Sequence, residues 1–197
     1  MNDVPTFVTH LECGWTGERV AADRLHNLSP QGYPLLVRYD LAGVAKALTK
    51  EKLNSRTPEL WRYRELLPVR RAANIVNLGE VMTPLIPLTK LAGGAEVLVK
   101  DEGRLPTASF KARGLALAVS MAKELGVKKM AMPTNGNAGA ALAAYASRAG
   151  IETVVFCPDD TPQVNMAEIA AQGARLYKVN GLINDCGKLV GAGKDAA

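Results

Sequence analysis

The sequence predicts an α/β protein: a parallel sheet flanked by helices, incomplete within the 197 residues, behind a small β-rich knuckle. Three observations predict it. From Gly79 onward, short β-branched runs alternate with alanine-rich stretches of helical period, the pattern of βαβ units and hence of parallel strands. A glycine follows each of three helical stretches (Gly126, Gly150, Gly173), where a C-terminal cap is wanted. The start of the chain, with L-E-C-G-W-T-G-E and H-N-L-S-P-Q-G-Y, lacks this texture, so the chain divides into a knuckle over 1–39 and an α/β region over 40–197.

Each element has a local reason. Pro34 to Tyr39 reads as a short strand, and Asp40 is a natural N-cap for the helix L-A-G-V-A-K-A-L-T-K. Thr57 and Pro58 open a second helix through W-R-Y-R-E-L-L, which Pro68 closes. The apolar faces of these helices suit packing. Val97 to Val99 is a strand, Ser109 to Leu125 a helix, Lys129 to Met132 a strand, and Asn137 to Arg148 a helix. Thr153 to Cys157, the helix Val164 to Gln172, the strand Arg175 to Val179 and a helix starting at Ile183 or Asn184 complete the series.

Composition excludes several classes. The chain is 48% hydrophobic and 22% charged, and no apolar run approaches the roughly 20 residues that span a membrane. The first residues lack the basic start and apolar core of a secretory signal, so a cytoplasmic protein is expected. The net charge is +5, but apart from Arg62, Arg64, Arg70 and Arg71 the basic residues are scattered and no aromatics interleave them. Nucleic acid is therefore not the expected partner, whereas anionic small molecules suit the charge. Cys13, Cys157 and Cys186 are too few and too widely spaced for a disulfide framework. With His10 and His26 as its only companions, Cys13 does not complete a tetrahedral metal site, and no metal is expected. Cys157, with no histidine after residue 26, reads as a buried small residue rather than a nucleophile.

The chemistry centres on Lys111, in K-D-E-G-R-L-P-T-A-S-F-K-A-R-G over Lys100 to Gly114. It follows a strand and a turn and falls in the first turn of a helix, where the macrodipole is already positive. Such a place favours the neutral amine, the nucleophile of Schiff-base chemistry, and the amides of a helix start hold anions nearby; a solvated surface lysine accounts for the position alone equally well. A second candidate is Thr134-Asn135-Gly136-Asn137-Ala138-Gly139, between a strand and a helix. In an open α/β sheet this is where ligands bind; a tight turn with an N-cap accounts for the same residues. Neither G-x-x-x-x-G-K-[ST] nor a complete G-x-G-x-x-G occurs.

The segment D-E-G-R-L-P-T-A-S-F-K-A-R-G resembles the lysine segment of the fold type II pyridoxal phosphate enzymes, whose sheet is like that of tryptophan synthase β. More narrowly it resembles the threonine synthases, with their P-T-G-S-F-K-x-R-G. Two further stretches, G-E-V-M-T-P-L (Gly79 to Leu85) and P-T-N-G-N-A-G (Pro133 to Gly139), stand in the expected order. Ala108 and Val81 replace glycines usual in the family, and a positive φ at Ala108 would carry strain. The knuckle is similar to the zinc ribbon of some relatives, with Thr16, Ser29 and Gln31 near where ligands would stand.

The resemblance implies that Lys111 carries pyridoxal 5'-phosphate as a Schiff base and then moves protons at the substrate's α and β carbons. It implies that Asn137 bonds the cofactor's phenolic oxygen, and that Thr134, Asn135 and Gly136 grip the substrate carboxylate. The implied reaction turns O-phospho-L-homoserine and water into L-threonine and phosphate. A threonine or serine dehydratase-like β-elimination is the nearest alternative, and a non-catalytic fragment or interaction module the alternative of another class. The family's phosphate-binding glycine loop, and the residue facing its pyridine nitrogen, are expected beyond the length given. The chain is therefore expected to need a complementing C-terminal half, with a homodimer as another possible assembly, and to have little activity alone.

Overall fold

The computed structural model describes residues 3–88, 90 and 93–195; residues 1 and 197, which bound the two predicted regions, lie outside these. The chain forms two compact units, Met1–Ile75 with Ser120–Gly126, and Val76–Val119 with Val127–Ala197. The predicted boundary at 39/40 lies within the first of these units. The strand leading to Asp40 pairs inside the first unit, and the Asp40 N–H bonds the Phe7 carbonyl at 2.9 Å.

In the first unit β1 (Val8–Cys13), β2 (Arg19–Val20) and β3 (Leu35–Tyr39) make an antiparallel sheet in the order β2-β1-β3. Register runs from Cys13↔Leu35 to Val8↔Tyr39 with an irregularity between Val8 and His10. The Cys13 thiol is buried between Ser29 Oγ at 3.3 Å and the Thr16 N–H at 3.5 Å. These bonds, Ser29's first, draw its pKa from 9.0 to about 7. Gln31 donates instead to Glu18.

Asp40 caps α1 (Leu41–Ala47) as predicted, accepting from the Gly43 N–H at 2.9 Å. The helix stops there. Leu48 is extended, and Thr49 accepts from the Lys52 N–H at 3.3 Å to begin a separate α2 (Lys50–Asn54). The predicted helix through W-R-Y-R-E-L-L is a 3-10 segment, Leu60–Leu66, with Tyr63 off helical geometry. Side chains compete for its backbone: Arg56 Nη1 takes the Arg62 carbonyl at 2.5 Å while pairing with Glu65. The Glu124 carboxylate accepts from the N–H groups of Arg70 and Arg71 and from Asn74 Nδ2, at 2.9 to 3.0 Å.

The second unit begins with an antiparallel pair. β4 (Leu85–Pro87) and β5 (Leu98–Lys100) form an antiparallel ribbon with Leu85↔Lys100, so the strand predicted at Val97 to Val99 lies outside the parallel sheet. Pairing is a non-local choice that a single strand's pattern does not contain. After short 3-10 turns at Glu102–Arg104 and Pro106–Ala108 comes α3 (Lys111–Glu124), two residues later than the predicted Ser109. Its C-terminal end belongs to the first unit.

The series then follows the prediction: β6 (Lys129–Pro133), α4 (Asn137–Ala149), β7 (Glu152–Pro158), α5 (Gln163–Ala171), β8 (Arg175–Val179) and α6 (Ile183–Asp195). The sheet is parallel in the order β6-β7-β8, with Met132↔Val155 and Val155↔Leu176 in register. Helix α4 is buried from Gly139 to Ala146, as its nearly unbroken run of small apolar residues requires. Ala140 and Ala143 from α4 meet Val155 of β7 and Ile169 of α5 in the core. Gly150 caps α4 with φ +69. Cys157 and Cys186 are buried and free. Among the described residues no helix is long and apolar enough to cross a membrane, and no group of His, Cys, Asp or Glu could hold a metal ion.

Candidate active site

The pocket lies where the parallel strands end. It is an open cavity of about 490 Å³, lined by Lys111, by Pro133 at the end of β6 and Thr134 to Ala138 after it, by Pro162 and Asn165 after β7, and by Ile183 after β8. The carboxyl edge of a parallel sheet collects loop residues and helix starts, which is why such sheets bind ligands there.

The turn after β6 is shaped by Thr134. Its buried hydroxyl oxygen accepts from the N–H groups of Gly136 at 3.0 Å and Gly139 at 2.9 Å. Thr134 and the Gly136 amide, both predicted to meet a carboxylate, are thus engaged in the turn itself. Asn135 and Asn137 are exposed at the pocket. The N–H groups of Asn137 and Ala138, at the start of α4, meet no protein acceptor among the described residues. Gly136 sits at φ +139, which only glycine adopts readily, and a Cβ there would come within 2.7 Å of Asn165.

Lys111 is the first residue of α3. Its amine makes no ion pair among the described residues and lies 4.3 Å from the centroid of the exposed Phe110 ring. The turn before it is left-handed at Thr107 (φ +62) and Ala108 (φ +50), so Ala108 does take the strained conformation. Thr107 Oγ1 and Ser109 Oγ, just ahead of the lysine, are buried and without a protein partner.

Two residues beyond the lysine, Arg113 enters a network that the sequence did not disclose. Arg113 donates to Glu102 through Nε at 2.6 Å and Nη2 at 2.9 Å. Thr83 donates to the same carboxylate, and Lys100 donates to Thr83 Oγ1 at 2.8 Å. The Arg113 bond, opposed by partial burial, leads the effects that lower the Glu102 pKa to about 2. Nearby Glu80, wholly buried, accepts from the Tyr145 hydroxyl and from the Leu78 N–H at 2.8 Å. Burial and that carboxylate push the Tyr145 phenol up. Thr83, Glu80, Lys100, Glu102 and Arg113 stand inside the quoted motifs and Tyr145 outside them, and spacing alone does not reveal their mutual contacts. Asn165 was missed as well. It donates to Asn137 Oδ1 at 3.0 Å from a different βα unit, and no local pattern marks it.

A primary amine, a carboxamide and free helix-start amides around a cavity of this size fit a small carbonyl compound bearing an anionic group. Fold and site together define a candidate ligand pocket, with Lys111 in its lining, at the carboxyl edge of a parallel α/β sheet.

Comparison with known proteins narrows this class. The family model described as pyridoxal-phosphate dependent enzyme matches residues 76–197, and the chain belongs to that family, whose cofactor is pyridoxal phosphate. Curated relatives include the threonine synthase of Methanocaldococcus jannaschii, 36% identical over 179 residues that cover 89% of this chain and 44% of the relative. That of Methanosarcina acetivorans is 36% identical, covering 92% of this chain and 45% of the relative. The chain thus spans somewhat under half the length of these relatives. Among solved structures, diaminopropionate ammonia lyase from Escherichia coli superposes with a TM-score of 0.57 at 25% identity, covering 61% of this chain and 39% of that one. An O-ureido-L-serine synthase does so at 0.54 and 25%, covering 58% and 39%. The family and the parallel-sheet fold read from the lysine segment are both borne out.

Proposed function

We propose that this chain supplies the lysine-bearing part of a threonine synthase-like enzyme that converts O-phospho-L-homoserine and water to L-threonine and phosphate. The observation that carries the proposal is that Lys111 and the turn Thr134 to Ala138 line one pocket. In this reading Lys111 anchors pyridoxal phosphate through its amine, and afterwards takes and returns protons at the substrate's α and β carbons. Asn137 donates its side-chain amide to the phenolic oxygen. Asn135 and the free N–H groups of Asn137 and Ala138 hold the substrate carboxylate, on a turn that Thr134 and Gly136 shape. When bound, the pyridine ring supplies an electron sink. The substrate assignment is supported by the identity to threonine synthases over about nine-tenths of the chain. Full activity is assigned to the chain joined by a complementing C-terminal half.

The first test is to add pyridoxal phosphate, reduce with borohydride and locate the label by peptide mass. A pyridoxyl group on Lys111 alone is expected. No label, or label spread over surface lysines, refutes the site and favours an interaction module that retains the fold without the cofactor.

A second reading, β-elimination of a hydroxy- or amino-substituted amino acid, is favoured by the likeness to an ammonia lyase. With the C-terminal half of a relative supplied, phosphate release from phosphohomoserine supports the first reading, and keto-acid formation from threonine supports the second.

A further inference from the structure

Asn165 stands in the first turn of α5, one βα unit away from Asn137, and its side-chain NH2 faces two acceptors. One is Asn137 Oδ1 at 3.0 Å, the other Glu168 Oε2 at 3.4 Å. A carboxylate only accepts, so Glu168, three residues on along the same helix, draws the nitrogen end of the Asn165 amide to its side. Asn137 must then meet that nitrogen with its oxygen. Its own NH2, carrying two donor hydrogens, is the end left for the pocket. The turn is built to permit this approach: at Gly136 a Cβ would lie 2.7 Å from Asn165 Oδ1 and 2.9 Å from its Cγ.

We propose that Asn165, oriented by Glu168, is a positioning residue that fixes the flip of the Asn137 carboxamide, so that the Lys111 pocket offers a donor and not an acceptor. The proposal rests on the cofactor site described above, because a donor is what the phenolic oxygen of pyridoxal phosphate needs. With the amide reversed, two oxygens would face each other across the pocket, and the hydrogen bond would be replaced by repulsion. Asn165 touches no reacting atom. It acts through Asn137 alone, and Gly136 is glycine in part so that it can.

The test has an arm that needs no cofactor. In the 15N-labelled chain, the side-chain NH2 resonances of Asn137 are assigned by their disappearance in Asn137→Ser. Asn165→Asp sets an acceptor against Asn137, and the proposal expects the carboxamide to turn over, with one of its NH2 protons moving downfield as it bonds the new carboxylate. Unmoved Asn137 resonances in a folded Asn165→Asp protein overturn it. Asn165→Ala is the second variant: it removes the restraint without reversing it.

The cofactor arm reads the dissociation constant of pyridoxal phosphate by absorbance titration. Asn165→Asp is expected to weaken binding about tenfold, the worth of one hydrogen bond, and Asn165→Ala by a smaller factor. In the Asn137→Ser background both changes should have less than about a twofold effect, because a positioning residue has nothing left to position. Effects that multiply independently in the double variants point to a general structural role and overturn the proposal. If the unaltered chain takes up no pyridoxal phosphate, the cofactor site itself is refuted, and the amide resonances still decide whether Asn165 sets the flip of Asn137.

Discussion

Glu102 joins Arg113, two residues beyond Lys111, to Thr83 and Lys100, and Glu102→Gln tests what that network contributes. The carboxylate receives both Arg113 bonds and the Thr83 hydroxyl, with the Lys100 amine at 3.8 Å. Its pKa is thereby lowered from 4.5 to about 2. At 1.36 kcal/mol per pH unit this is worth about 3 kcal/mol, reduced to about 2 kcal/mol by water at a side chain that keeps 22% of its surface exposed. For a chain of this length that is roughly 4–8 °C in Tm. The folded value lies below the unfolded one, so the stabilisation is complete above about pH 5 and is lost as pH falls through 4.5 toward 2. Thermal unfolding followed by circular dichroism should therefore show Glu102→Gln melting lower at neutral pH, with the gap closing as acid protonates the wild-type carboxylate. A neutral-pH gap under about 1 °C, or one that stays constant with pH, refutes the reasoning.

Three further substitutions follow from the geometry. Tyr145→Phe removes the hydroxyl that meets buried Glu80 and should cost about 1–3 kcal/mol, read as a lower urea midpoint; an unchanged midpoint would show that water or another donor replaces it. Gly139→Ala places a methyl 2.5 Å from Thr134 Cγ2 and 3.1 Å from Val155 and Ile169. It should destabilise by about 1–3 kcal/mol and disorder the turn that Thr134 holds, seen in the Gly136 amide resonance. Ala108→Gly relieves the residue at φ +50 and should leave stability equal or raise it by up to about 1 kcal/mol; a loss of that size would mean the left-handed turn is not strained.

Much of the fold was legible because its causes are local. Asp40 caps α1 through its own side chain, Gly150 ends α4 in the left-handed region, and the alanines of α4 demand burial wherever the helix goes. Two of the differences come from contacts that the segment's own pattern does not contain. The W-R-Y-R-E-L-L segment lost its α-helix where the Arg56 side chain took the Arg62 carbonyl, and the strand after Glu96 joined β4 instead of the parallel sheet. The site divides in the same way. Lys111 announced itself by standing at a helix start after a strand and turn, and Asn137 by its turn of small residues. The sequence reading assigned Thr134 and Gly136 to a ligand, yet the folded turn engages the Thr134 oxygen and the Gly136 N–H within itself.

By itself, then, the sequence determined the βαβ series from β6 onward, the caps at Asp40 and Gly150 and the family, all of which depend on residues within a few positions of one another. Tertiary structure alone decided which strands pair, that Glu102 meets Arg113, and that Asn165 meets Asn137 across 28 residues. Hydrogen bonds and ion pairs form between whichever partners the folded backbone brings within about 3 Å, and no local pattern in the chain encodes that proximity.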